Sequence, residues 1–393
     1  MLDRHRRDVG PGVSDSTDAR RARIARTVAI ARRVADRDDP LGKEARAELA
    51  VFSGLSAEGV ELALTEHLEI DPSAGDLDAL LASVATAPRC HVVLAANVCT
   101  AALRAIACAT ATAPAIFVRP SRRDPVLAAI LTRELAADPA FRAAGGSIAR
   151  IEEIKPTPGD ELHIYGSDET VAAISASVAR GVVVRGHGTG LGLAVVGAGI
   201  GVDVAAPAIA RDVVPFDQRG CLSPRAVLVE GGVARASAFA EALAQQLATL
   251  GARVPRGPLD EATAADVTRY RATIEAIGVV HRGADHVVGL DPEPRALILP
   301  PTARVVHVVP VEAAEVAALL TPWAAHVTCF GAGGDGDLVR AVQALGPRAR
   351  CATLGRMQKP PLDGPVDLRH REREDDAEAV AAQPGAGYRM QGS

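Results

Sequence analysis

From residue 91 onward the chain alternates short apolar runs with amphipathic stretches, and this alternation restricts the fold more than any other feature. Apolar runs occupy 91–95, 115–118, 161–165, 182–185, 226–230, 305–309 and 326–330, each of strand length. Between them, 101–109, 125–135, 169–179, 236–250, 313–320 and 337–345 carry helical patterns. Strands that alternate with helices close into parallel sheets wrapped by helices, so the expected fold class is α/β. With 393 residues, 48% of them hydrophobic, the chain is large enough for two such units.

The flanks are different. Residues 20–35, RRARIARTVAIARRVA, repeat apolar positions at helical spacing with arginines between them; a helix with a solvated basic face is expected. Ser56 caps a second helix that runs through Leu64. Residues 1–20 and 366–393 are polar or charged and are expected to be loose ends. Gly and Pro cluster near 204–213, which divides the chain into units at 21–205 and 206–365.

Several function classes fall away on composition. A net charge of −5 leaves no electrostatic footprint for nucleic acid. Six cysteines are scattered without a C-x-x-C pair, which argues against a disulfide framework and against a zinc site. The first residues lack an apolar leader. The long apolar stretch from Leu191 to Ala210 is interrupted by Gly192, Gly197, Gly199, Gly201, Asp203 and Pro207, so buried strand and turn are expected there, not a membrane span. A cytoplasmic protein is the expectation.

Four segments can carry chemistry. Phe216-Asp217-Gln218-Arg219-Gly220-Cys221-Leu222-Ser223-Pro224 puts one cysteine on a Gly/Pro-punctuated loop ahead of an apolar strand. Most free cysteines are small buried hydrophobes; a thiol on a turn backed by a strand can instead be an exposed, fixed nucleophile. Asn97 follows one strand and precedes a helix, as an N-cap would or as an amide donor to an oxyanion would. Arg119 ends the next strand, either facing solvent or pairing with a nucleotide ribose or phosphate, with Pro120 and Ser121 behind it. Gly166-Ser167 sits between a strand and a helix, where a turn, a cap or a pyrophosphate site are all compatible.

Other motifs carry less. Gly331-x-Gly333-x-x-Gly336 fits the dinucleotide pattern between strand and helix, but no carboxylate follows between Pro347 and Gln358. The alternate glycines Gly186, Gly188, Gly190 and Gly192 fit no phosphate pattern and point to close backbone packing. His281 and His286 sit in an expected loop without a carboxylate companion, so no metal site is expected.

Taken in order, Asn97, Arg119-Pro120-Ser121, Gly166-Ser167 and Cys221 resemble the aldehyde dehydrogenase superfamily. Tyr165-Gly166-Ser167-Asp168-Glu169, the segment from Asp212 to Pro224, and Leu354-Gly355-Arg356-Met357-Gln358-Lys359-Pro360-Pro361 resemble more closely its acyl-CoA reductase branch, typified by the long-chain acyl-protein thioester reductases of bioluminescence. The likeness runs from about residue 20 to 365.

The resemblance implies two three-layer α/β/α domains with mainly parallel sheets, the first for a nicotinamide cofactor and the second for the catalytic thiol. Cys221 takes the nucleophile's place, and Asn97 with the Cys221 amide takes the oxyanion hole's. Arg119 and Ser121 match a Lys-Pro-Ser that holds the adenosine ribose, and Gly166-Ser167 match the pyrophosphate turn. Three departures stand out. Arg119 replaces the usual lysine, which favours NADPH while leaving NADH open. Val98-Cys99 replaces the aromatic-proline that often follows the asparagine. Arg185-Gly186-His187-Gly188-Thr189 stands where hydrolytic members have Glu-Leu-Gly-Gly-Lys, so the usual glutamate base is missing. The expected activity is reduction of an acyl-CoA or acyl-carrier thioester to the aldehyde through acyl-Cys221. An aldehyde dehydrogenase running oxidatively, with His187 or another base in the glutamate's place, and a cofactor-less acyl-cysteine transferase are the alternatives. A homo-oligomer, or a complex with an acyl-supplying protein, is expected of such a family.

Overall fold

The structure, a computed structural model, describes residues 15–334 and 336–369. Four helices lead the chain: α1 (Thr17–Ala35), α2 (Pro40–Phe52), α3 (Ala57–Glu66) and α4 (Ala74–Ala82). Each opens on a side chain that accepts an early amide hydrogen, from Ser16, Asp39, Ser56 and Ser73 in turn. The pattern reading passed over α2, whose start signal is the Asp39 cap followed by Pro40 in the first turn.

The basic face expected on α1 is only partly solvated. Arg20 and Arg23 are buried, and their guanidiniums donate to the carbonyls of Ala111 and Thr110 at the end of the helix they pack on. Asp15 completes the Arg23 site at 2.5 Å. Order thus begins by residue 15, ahead of the expected limit at 20, while 1–14 lie outside the described residues.

The first sheet is built from β1 (Arg89–Val93), α5 (Ala101–Thr112), β2 (Ala115–Arg119), α6 (Val126–Ala137), α7 (Pro139–Ala143), β3 (Ser147–Arg150), β4 (Glu161–Tyr165), α8 (Asp168–Ser177) and β5 (Val183–His187). Its five strands are all parallel, in the order β3-β2-β1-β4-β5. Chain order reverses between β1 and β4, so the loops after them splay apart and leave a crevice at the carboxyl edge. Cys90, Val92, Ile116 and Val118 face α1, α5 and α6, whereas Val93, Leu162 and Ile164 face α8.

The second sheet follows with β6 (Leu191–Val196), α9 (Val202–Val213), β7 (Pro224–Val229), α10 (Gly232–Arg253), α11 (Glu261–Ile277), β8 (Val279–Arg282), β9 (Val287–Leu290), β10 (Val305–Pro310), α12 (Val316–Leu320), β11 (Val327–Gly333), α13 (Asp337–Leu345) and β12 (Arg350–Thr353). Its seven strands run β12-β11-β6-β7-β10-β9-β8, and only β8 against β9 is antiparallel. Ala194, Val196, Val227 and Val229 pack under α9 and α10, and the alternate residues Leu193, Val195, Ala226 and Leu228 pack under α12 and α13. Strands buried on both faces read as continuous apolar runs, which is why these were legible.

Two expectations change. The chain passes from one sheet to the other at 188–190, some way ahead of the division expected at 205/206, because β6 pairs with β7 and β11. Residues 202–213 are helix, not strand and turn; Pro207 lies inside α9 and removes one of its hydrogen bonds. His281 lies on β8, and His286 immediately precedes β9 and contacts Asp285 at 3.4 Å.

The alternate glycines do mark close packing. A Cβ on Gly190 would lie 2.8 Å from that of Cys221, and one on Gly192 would lie 2.7 Å from the carbonyl oxygen of Leu222 and closer still to that of Ser223. A backbone oxygen cannot yield as a side-chain tip does. Gly192→Ala is expected to lower stability by about 1–3 kcal/mol, read as a reduced urea midpoint; an unchanged midpoint would mean the β6–β7 contact is slack.

Candidate active site

The loop that carries Cys221 is held in an unusual backbone conformation. Phe216, Asp217 and Gln218 have φ of 55°, 51° and 63°, and Ala303 and Arg304 opposite have 80° and 62°. These five are the non-glycine residues with positive φ among the described residues. Each such residue costs of order 1–3 kcal/mol and persists only where its surroundings enforce it.

The enforcement is visible. The Asp217 carboxylate accepts from Arg304 at 2.7 Å and from the Gly257 amide at 3.0 Å. Arg304, 1% exposed, also donates to Asp285 at 2.7 Å and to the Val254 carbonyl. Gln218 donates to the carbonyls of Pro224 and Val305 and accepts from the Val305 amide, all at 2.8 Å. The two side chains replace the sheet contacts that this turn gives up. Beyond them Gly220-Cys221 projects from the start of β7, and Thr328 on β11 donates to the Cys221 carbonyl at 2.6 Å.

Cys221 lines a cavity of about 670 Å³ that also reaches the carboxyl ends of β1, β2 and β4. The structure gathers all six candidate residues on its wall: Asn97 after β1, Arg119 and Ser121 at the end of β2, Gly166 and Ser167 after β4, and Cys221. Asn97 is exposed and is not the helix cap; α5 starts at Thr100, which makes no side-chain cap bond. Ser167 does cap α8, accepting from the Thr170 amide at 3.3 Å, and the first turn of that helix carries Asp168 and Glu169. Ser121 accepts from the Arg123 amide at 3.2 Å and shapes the turn after β2.

Charge is unevenly spread over the cavity wall. Arg119, Arg122 and Arg123 cluster after β2, and burial followed by repulsion from Arg122 pulls the Arg119 guanidinium below its ordinary value. Glu152, the one lining carboxylate among the described residues, follows β3 at the sheet edge, two strands from β1 or roughly 10 Å. Burial pushes the Cys221 thiol up to about 11; Asp367 pushes the same way, and Arg369 opposes it. His187 is buried with its ring stacked on Tyr165, centroids 4.4 Å apart, and it is not among the cavity-lining residues.

Several participants gave no sequence signal. Arg122, Arg123 and Arg225 complete the cavity's basic lining. Asp367 and Arg369 form an ion pair at 2.7 Å within reach of the thiol's field, and Arg369 donates to the carbonyls of Thr189 and Ala325. The segment 366–369 is thus packed, contrary to the loose tail expected from 366; residues 370–393 lie outside the described set. Two buried polar atoms beside Gly220, the Ser223 hydroxyl and the Gln358 amide nitrogen, have no hydrogen-bond partner among the described residues. Gly331 and Gly333 lie within β11, where a Cβ would strike Met357, Leu354 and Ile200, so packing accounts for that pair.

The fold is that of aldehyde dehydrogenases. A benzaldehyde dehydrogenase from Corynebacterium glutamicum superimposes with a TM-score of 0.64 at 16% identity, covering 88% of this chain and 80% of its own. A dehydrogenase from Sinorhizobium meliloti gives 0.65 at 17%, covering 88% and 76%. Glyceraldehyde-3-phosphate dehydrogenase GapN from Methanocaldococcus jannaschii, complexed with NADP, gives 0.61 at 12%, covering 86% and 81%. Residues 82–370 match the family model of acyl-CoA reductase (LuxC), and the chain belongs to that family. No curated protein sequence matches it.

If the left-handed run is what places Cys221, loosening its anchor will be costly. Asp217→Asn, which leaves Arg304 facing a neutral amide, is expected to destabilise by about 3–5 kcal/mol in urea unfolding; a loss under 1 kcal/mol would show the ion pair is dispensable.

Proposed function

We propose that this chain reduces an acyl thioester to an aldehyde, with Cys221 as nucleophile and NADPH as hydride donor. The observation that carries the reading is the convergence of Asn97, Cys221, Arg119, Ser121, Gly166 and Ser167 on one cavity where, among the described residues, the only lining carboxylate is Glu152, remote from Asn97. The cavity sits at the crevice where parallel α/β sheets hold nucleotides, and the three arginines after β2 fit a 2′-phosphate better than the carboxylate that an NAD site places there. Arg119 and Ser121 would hold the ribose end, and Gly166-Ser167 the pyrophosphate. When bound, the cofactor supplies a hydride to the acyl carbon.

The rest is done by the chain. The Cys221 thiolate adds to the thioester carbonyl, and the side-chain N–H of Asn97 and the Cys221 amide receive the oxyanion. The intermediate collapses with cleavage of the substrate C–S bond, and the released thiolate takes up a proton. After reduction of acyl-Cys221, the thiohemiacetal oxygen loses its proton and the C–S bond breaks, freeing the aldehyde and returning Cys221. Hydrolysis of acyl-Cys221 would need a base beside it. Glu152 is two strands away and His187 lies behind Tyr165, which supports reduction over oxidation to the acid.

Cys221→Ala is expected to abolish acyl labelling and thioester-dependent NADPH oxidation, and Asn97→Ala to lower kcat by roughly 10²–10³. Retained turnover in the cysteine variant would refute the scheme. A second expectation concerns pH. With its pKa raised to about 11, the thiol of the free protein is almost wholly protonated at pH 7. Alkylation of Cys221 by iodoacetamide, followed by peptide mass spectrometry, should rise about tenfold per pH unit from 7 to 10. A plateau below pH 9 would show that a nearby base or cation activates the thiol without ligand.

A further inference from the structure

A second cavity, of about 690 Å³, opens between α3, α9, α10 and the segment after β12. Four cations line it: Arg211 of α9, Arg253 of α10, and Arg356 and Lys359 of the segment 354–359. All four are exposed, and among the described residues none makes a side-chain hydrogen bond or ion pair. Against them stands one lining carboxylate, Glu66. His67 adds no charge: burial lowers its pKa to about 4, and its Nδ1 contacts the Gln358 carbonyl oxygen at 3.3 Å. In a chain whose net charge is −5, such a concave group of unpaired cations is an anion site.

The site is built, not a chance crowding of surface arginines. The buried Asp212 carboxylate accepts the amides of Gly355 and Met357 at 2.6 and 2.9 Å, which fixes the turn with Arg356 displayed between two anchored neighbours. Arg104 of α5 donates to the carbonyls of Pro360 and Pro361 just beyond, at 3.1 and 2.7 Å. Arg356 and Lys359 also line a smaller, more apolar cavity of about 310 Å³ with Leu222, Met357, Pro360 and Pro361. Leu222 and Met357 pack against Cys221, so this cavity lies directly behind the reactive loop. Arg356 and Lys359 thus belong to both cavities, the smaller one abuts the residues that back Cys221, and neither shares a lining residue with the proposed nucleotide cavity.

We infer that the basic cavity binds the phosphates of coenzyme A as the thiol carrier of the acyl substrate. Resting on the thioester reading above, it adds where the substrate's polyanionic end sits. The volume suits a small molecule, and guanidiniums suit phosphates in geometry as well as charge.

The test is calorimetric binding of free coenzyme A to the full chain, which requires no turnover. Arg211→Gln/Arg253→Gln should raise its Kd roughly tenfold or more while leaving the Kd for NADPH unchanged, and Arg211→Lys/Arg253→Lys should restore most of the affinity. Pantetheine, which lacks the phosphates, should lose nothing in the glutamine variant. The inference is overturned if coenzyme A does not bind, if the glutamine variant binds it as wild type does, or if Arg119→Ser abolishes its binding while the glutamine variant does not. That last result would put coenzyme A in the nucleotide cavity. The reductase reading fails separately: binding of coenzyme A without NADPH oxidation on any thioester would remove that reading and leave this site in place.

Discussion

The contact on which the candidate active site depends is the buried pairing of Asp217 with Arg304, braced by Gln218 on the backbone of β10. Three consecutive side-chain-bearing residues in left-handed conformation would not persist on their own. Here one ion pair, the Asp217 carboxylate's bond to Gly257 and the three bonds of Gln218 surround the run, and Ala303 and Arg304 adopt the same hand opposite. Arg304 is tied further to Asp285 and to Val254 at the end of α10. The position of the thiol is therefore set from both sides of its loop, by Arg304 and Val305 at the start of β10 and by Thr328 on β11.

That arrangement explains both what was legible in the sequence and what was not. The central strands β6, β7 and β10 of the second sheet are buried on both faces and appear as near-continuous apolar runs, whereas the edge strands β8 and β12 are only partly buried and carry no such run. Five of the six candidate residues lie at or just after the ends of strands and Cys221 lies on the loop ahead of β7, where the residue types themselves carry the pattern. By contrast α2 was missed because its cap signal is two residues long, and α9 because Pro207 and the glycines before it look like turn. The Asp217–Arg304 pair spans 87 positions, and no periodicity links two such distant charges. The same holds for Asp367 and Arg369, which reach the thiol from beyond the last strand. The Asp-Gln of the cysteine motif was recognisable as a pattern, yet its purpose, holding an unfavourable backbone, needed the three-dimensional partners.

Burial gives the thiol opposed properties. A site closed enough to shield an acyl-cysteine from water is also one in which a thiolate is poorly solvated, and the thiol's pKa rises to about 11 accordingly. Asp367 adds to that rise, while Arg369 works against it from the same ion pair. The unliganded protein thus favours the protonated thiol, and in the proposed reaction a bound ligand would have to lower its pKa. Reactivity that depends on a bound partner would protect the cysteine from oxidation and alkylation between turnovers.

The direction of the proposed chemistry follows from what surrounds that cysteine. Hydrolysis, thiol exchange and reduction compete for an acyl-cysteine, and the outcome depends on which second reactant the wall can activate. Water needs a base, and His187, which the resemblance sets near the place of the glutamate of hydrolytic members, is stacked on Tyr165 and does not line the cavity. Gly190 packs its bare backbone against Cys221, since even a Cβ there would come within 2.8 Å of the cysteine's own. In the proposed reaction a nicotinamide ring or a pantetheine thiol would meet the acyl carbon with no general base of the wall beside it. With water left unactivated, the two reactants that bring their own nucleophile have the advantage, and both return the cysteine unchanged.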